Sequence, residues 1–138
     1  MMAIRLWAVL LLISPVAHAQ STCLRDFPEF IAQFENSLEF QRKNTRFPLS
    51  ASRIDRAALP EPKTVFYTIN SPVDPQYPVA AFPAPAKQAA IPLQQRIKKG
   101  SGARFVQFTK PGAGGTFTFT FEMSAGCWLL IKFEDAPR

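Results

Sequence analysis

Residues 26–49 read DFPEFIAQFENSLEFQRKNTRFPL, and the way they divide into regular elements decides the fold. Asp26-Phe27-Pro28-Glu29 has an N-cap aspartate, a proline in the first turn and a glutamate three residues on, which is the reciprocal capping pattern of a helix start. Phe27, Phe30, Ile31, Phe34 and Leu38 then recur at helical spacing and line one apolar face. Asn36-Ser37 can break and recap the chain, so a second short helix is expected from Leu38 to about Asn44, leaving at an angle. Phe47-Pro48-Leu49 is expected to end it, because the residue before a proline disfavours α geometry. Phe40 and Phe47 should pack into the core. Gln41 either ties the helix to a strand by its amide or faces a pocket. Arg42, Lys43 and Arg46 fall to solvent.

The C-terminal third has the period of sheet. Ala103–Lys110 predicts one strand. Thr116–Met123 alternates Thr and Phe strictly, which puts Phe117, Phe119 and Phe121 on one face. After a turn at Ser124-Ala125-Gly126, Cys127–Glu134 predicts the return strand, with Cys127, Leu129, Ile131 and Phe133 on one side and Trp128 and Leu130 on the other. Thr64–Asn70 predicts an earlier strand. Between them, Pro60 to Pro92 holds most of the chain's 13 prolines. Proline removes ladder donors, so this segment is expected to be a loop packed on the body through Val79, Phe82 and Ile91. Leu93–Lys99 is expected to be a short basic helix that stops at Gly100.

The first residues, MMAIRLWAVLLLISPVAHAQ, have the layout of a cleavable secretory signal: Arg5, a compact apolar run from Leu6 to Ile13, and small residues at Ala17 and Ala19. The expected cut follows Ala19, giving a leader over 1–19 and a single exported domain over 20–138. The apolar run is too short to span a bilayer, so no transmembrane span is expected after cleavage. Cleavage carries off His18, the only histidine. The exported chain then has no histidine for a Ser-His-Asp triad or a metal site, and no cofactor or metal is expected. An even pair of cysteines in an oxidising compartment, Cys23 and Cys127, is expected to form a disulfide. Bonded sulfurs are neither nucleophiles nor metal ligands.

Loss of Arg5 lowers the formal charge from the +6 of the whole chain. A moderately basic domain outside the cytoplasm suits an acidic protein or an anionic envelope polymer better than nucleic acid. The densest cluster is Arg96, Lys98, Lys99 and Arg104 around Gly100-Ser101-Gly102, expected on a glycine-flanked loop.

Phe27, Phe30 and Phe34, Phe40-Gln41, Phe47-Pro48-Leu49, and later Phe119-x-Phe121, a glycine turn, Trp128-x-Leu130 and Asp135 together resemble an uncharacterised group of exported bacterial domains, domain-of-unknown-function family 4348. That group is similar to the nuclear-transport-factor-2-like cone. The resemblance covers roughly the first and last thirds of the exported chain, and the proline-rich middle departs from it. It implies an α+β fold in which N-terminal helices pack in the hollow of a curved antiparallel sheet, with Gln41 and Trp128 near the cone's mouth. Cones of this type resemble both enzymes and binding modules. An isomerase or dehydratase would need an acid or base opposite a donor, for which Asp55, Glu39 and Tyr67 are the candidates. They follow no motif spacing. The expected function is therefore non-catalytic binding of a protein or small ligand in the periplasm or outside the cell, one version being an immunity-type antagonist of an exported toxin.

Overall fold

The computed structural model describes residues 23–112 and 114–136; the expected leader lies outside them. Helix α1 spans Phe27–Asn36, with the Asp26 side chain accepting from the Glu29 amide as the capping pattern requires. Ser37 accepts from the Phe40 amide and starts helix α2, Leu38–Lys43. That helix ends at Asn44 and not at the Phe47-Pro48 pair. The Asn44 amide and side chain donate to the Phe40 carbonyl, and the Thr45 hydroxyl donates to the Gln41 carbonyl. With its last carbonyls satisfied by the next two residues, the helix can stop there. Pro48 instead lies inside strand β1, Thr45–Asp55.

Strand β2 is Lys63–Ile69, and after a proline-rich crossing the chain forms β3 (Gln94–Lys99), β4 (Ala103–Thr109), β5 (Thr116–Ser124) and β6 (Cys127–Ala136). The sheet order is β2-β1-β6-β5-β4-β3, a curved sheet that does not close. Every neighbouring pair is antiparallel except β1 and β6, which run parallel. The basic helix expected over Leu93–Lys99 is a strand. Its six residues are all exposed and have no apolar stripe of their own, so pairing with β4 decides their conformation.

The helices fill one end of the hollow. Phe30 and Phe34 are fully buried; Phe34 meets Phe121 at 5.1 Å and Phe82 at 5.5 Å, and Phe27 sits edge-on to Trp128 at 5.0 Å. Burying each such ring contributes about 1.5–3 kcal/mol.

Strand β6 differs from the expected alternation. Trp128, Leu130 and Phe133 are buried, whereas Leu129 and Ile131 are only half-buried. Thr120 pairs with Lys132 but Phe121 pairs with Leu130, so Ile131 is an extra residue in a bulge. One inserted residue reverses the alternation and brings Phe133 onto the same inner side as Leu130.

The proline-rich segment runs from one edge of the sheet to the other. It is a strap across the hollow, containing a 3₁₀ turn (Tyr77–Ala80) and helix α3 (Pro85–Ala90). Asp74 fastens its start by accepting from the amides of Asn70 and Gln76, and these two hydrogen bonds hold its carboxyl below the ordinary carboxylate value. Tyr77, Ala80 and Phe82 are the strap residues buried against the body, while Val79 and Ile91, also expected to pack there, are exposed on the strap. Gln88 donates to Glu35 of α1 at 3.1 Å and to the Pro83 carbonyl at 2.8 Å. The Cys23–Cys127 disulfide is formed, tying the segment before α1 to β6 across 104 residues.

Candidate functional site

Helices and strap leave one hollow between the strap and the inner face of the sheet. It has a volume of about 270 Å³, at the low end of small-molecule sites. Its floor is Phe117, Phe119 and Phe133, its roof is Pro78, Ile91 and Leu93, and Lys87, Lys110 and Asp135 supply charge. The Lys110 ammonium lies 5.5 Å from the centre of the Phe117 ring, within cation–π range. The strict alternation of β5 brings Phe117 and Phe119 here. The bulge in β6 brings Phe133, and with it Asp135 two residues on, to the same face.

Tyr67 belongs to the neighbourhood. Its partner across the β1–β2 pair is the buried Ala51, so it is on the inner face, packed against the core. Burial pushes its phenol up from the ordinary value; the Arg53 charge lowers it and the Asp135 charge raises it. Arg53 sits 5.7 Å from the ring centre. At neutral pH Tyr67 keeps its proton and has the Arg53 guanidinium beside its ring.

The other two acid candidates do not join it. Glu39 is on the exposed side of α2, where a 2.6 Å contact from Lys43 holds its carboxyl below the ordinary value. Asp55 is exposed at the end of β1 and accepts from the Ala57 amide. Asp135 is the carboxylate that the fold brings into the strap pocket, across β1 from Tyr67. In the sequence it appeared only as one element of an aromatic motif.

Gln41 is shut away from solvent at 3% exposure. Its amide nitrogen donates to the Phe34 carbonyl at 2.7 Å and to the Phe82 carbonyl at 3.2 Å, and its oxygen accepts from the Phe82 amide at 3.2 Å. It ties α2 to α1 and to the strap, a partner that neither sequence reading of this residue named. Trp128 is also buried, its indole donating to the Arg25 carbonyl at 2.8 Å. Gln41 is thus committed to the core, whereas Trp128 also lines a hollow at its own end of the sheet, and the strap pocket lies toward the other end of β4, β5 and β6.

The four clustered cations lie on a hairpin, on strands rather than a loop. Alternation divides them. Lys99 and Arg104 are paired across the hairpin on the inner side, with the Arg104 guanidinium 5.1 Å from the centre of the Trp128 ring. Arg96 and Lys98 are opposite Gln107 and Phe105 on the outer side.

Among solved structures, the fold is similar to that of an NTF2-like protein from Bacteroides fragilis NCTC 9343. The TM-score is 0.60 at 22% identity, over 82% of this chain and 47% of that one. The chain spans about half the length of that protein. No family model matches, and no curated protein matches. The fold is therefore NTF2-like, an architecture shared by ligand binders and enzymes. The disulfide points to an oxidising, extracytoplasmic environment. Among the described residues no helix is long and apolar enough to cross a membrane.

Proposed function

We propose that the protein is a non-catalytic binding protein of the periplasm or extracellular space, a member of the exported group it resembles, and that the hollow beneath the strap takes a small amphipathic ligand with an anionic head. The observation that carries this reading is the pairing of an apolar floor, Phe117, Phe119 and Phe133, with Lys87 and Lys110 at its rim. An aromatic or branched body gains from burial against the phenylalanines, and the Lys110 ammonium held over the Phe117 ring offers a partner for a carboxylate. The small volume favours ligands of about one or two rings. The fluorescent anion 2-naphthoate is a suitable probe. Saturable one-to-one binding is expected, weakened about tenfold by Lys110→Glu, the change expected when a charge-assisted contact is lost. Binding that does not saturate, or that ignores Lys110→Glu and a cavity-blocking Leu93→Trp alike, would rule out this site.

The enzyme alternative draws on Tyr67 lying on the inner face of the sheet, one strand removed from the Asp135 that lines the strap pocket. In that reading Tyr67 donates a hydrogen bond to a developing oxyanion while Asp135 removes a proton. Conversion of a bound compound followed by NMR, either to an isomer or with loss of water, and abolished by both Tyr67→Phe and Asp135→Asn, would favour it over simple binding.

A further inference from the structure

The sheet's free edge at β3 lies next to a second hollow, at the end of the molecule away from the strap pocket. Its floor is Pro28 and Ile31 of α1, Ile97 of β3 and Trp128 of β6; its rim carries Arg25, Lys99 and Arg104. The volume is about 520 Å³. The one carboxylate lining it, Asp26, is engaged in capping α1. Three cations thus surround an apolar floor, and Ile97 is 46% exposed.

The backbone beside this groove is available as well. The Gly100 amide donates to the Ala103 carbonyl, which fixes the phase of the β3–β4 ladder. In an antiparallel pair, alternate residues exchange both hydrogen bonds with their partner. Lys98, Arg96 and Gln94 therefore direct N–H and C=O toward β4. Those of Gln95, Ile97 and Lys99 point off the edge, where no strand among the described residues pairs with them. These same three residues have their side chains on the inner side, toward the groove, as their partners Phe108, Val106 and Arg104 do.

We infer that β3 accepts an extended acidic segment of a partner protein as an added strand, its alternate apolar side chains entering the groove between β3 and α1. Backbone bonds at Gln95, Ile97 and Lys99 would supply register, and the apolar floor would supply burial. The charges set the choice of strand. Basic residues on an edge discourage a second copy, because Arg96, Lys98 and Lys99 would face their own like charges. An acidic strand whose apolar side chains enter the groove turns its carboxylates to the outer side, where Arg96 and Lys98 meet them as partners. This docking surface is separate from the strap pocket, and each can fail without the other.

The test uses the disulfide-bonded protein and an alternating Glu-Val octapeptide, with a Gln-Val octapeptide as the uncharged control. On adding the acidic peptide, amide hydrogen exchange is expected to slow at Gln95, Ile97 and Lys99, while Arg96 and Lys98, already bonded to β4, change little. Binding should weaken about tenfold for the double reversal Arg96→Glu with Lys98→Glu, the two outer-side cations that the peptide's glutamates would face, and with rising salt. Ile97→Pro removes only an edge-facing donor, a tolerated place for proline, and should abolish protection; if it disturbs folding, the charge reversal still decides. Unchanged exchange at the three amides, equal binding of the Gln-Val peptide, or self-association of the protein in place of peptide binding would overturn the inference.

Discussion

Removing the Gln41 amide should loosen the strap from the rest of the molecule. In Gln41→Leu the side chain keeps its approximate volume and loses all three hydrogen bonds, leaving the Phe82 amide and the Phe34 and Phe82 carbonyls without it. The Phe34 carbonyl is among the last four of α1, which the helix itself cannot satisfy. An unsatisfied buried group costs about 1–3 kcal/mol. Carbonyls tolerate under-satisfaction better than amides, so the expected loss is roughly 3–5 kcal/mol rather than the full sum. Against a typical domain stability of about 5–15 kcal/mol that is a large fraction. At about 4 °C per kcal/mol, the value between those of smaller and larger domains, thermal unfolding by circular dichroism should fall by about 12–20 °C. Gln41→Glu separates hydrogen bonding from volume. Its carboxyl can still accept from Phe82, but at neutral pH it places a charge at a buried site. Burial would raise that carboxyl's folded-state pKa, so the variant should be most stable, relative to the parent, at acid pH. It should lose ground as pH rises through the ordinary glutamate value toward the raised one. A Gln41→Leu melt within about 3 °C of the parent would refute the clamp, since less than 1 kcal/mol would then be involved.

Two further outcomes follow from buried polar groups. Thr120 is 6% exposed and its hydroxyl has no hydrogen-bond partner among the described residues; the near-isosteric Thr120→Val should raise stability by about 1 kcal/mol in urea unfolding, and a loss of that size would mean the hydroxyl is bonded in solution. Burial pushes the Tyr77 phenol up, offset in part by the neighbouring Thr45 hydroxyl and the Arg42 charge. Because the folded-state value is raised, this stability is present below the ordinary tyrosine range near pH 10 and is lost as pH rises from there through the folded value. Tyr77→Phe should flatten that alkaline loss in melts taken across the range, and an unchanged profile would assign it to another group.

Much of the architecture was legible because its signals are local. The capping residues and apolar face of α1, the second helix recapped at Ser37, the Thr-Phe alternation of β5 and the turn at Ala125-Gly126 each lie within a few residues of chain, and each formed. The cysteine pair needed only its count and an oxidising setting. The sequence alone therefore determined α1 and α2, strand β2, the last three strands and the disulfide that ties the segment before α1 to β6. Other features depended on contacts between distant residues. QQRIKK at 94–99 has no stripe of its own and became strand β3 because β4 offered it a ladder. Pro48 looked like the end of a helix, yet Asn44 and Thr45 had already closed the carbonyls of α2, freeing Pro48 to enter β1. In β6, alternation counted along the chain put Trp128 and Phe133 on opposite faces; the bulge at Ile131 put them on the same one, bringing Asp135 into the strap pocket. Gln41 shows the same limit, since its partner is Phe82, 41 residues away. A one-residue bulge and a hydrogen bond between distant segments leave no periodic trace in sequence, because both depend on where the folded backbone brings its unpaired groups.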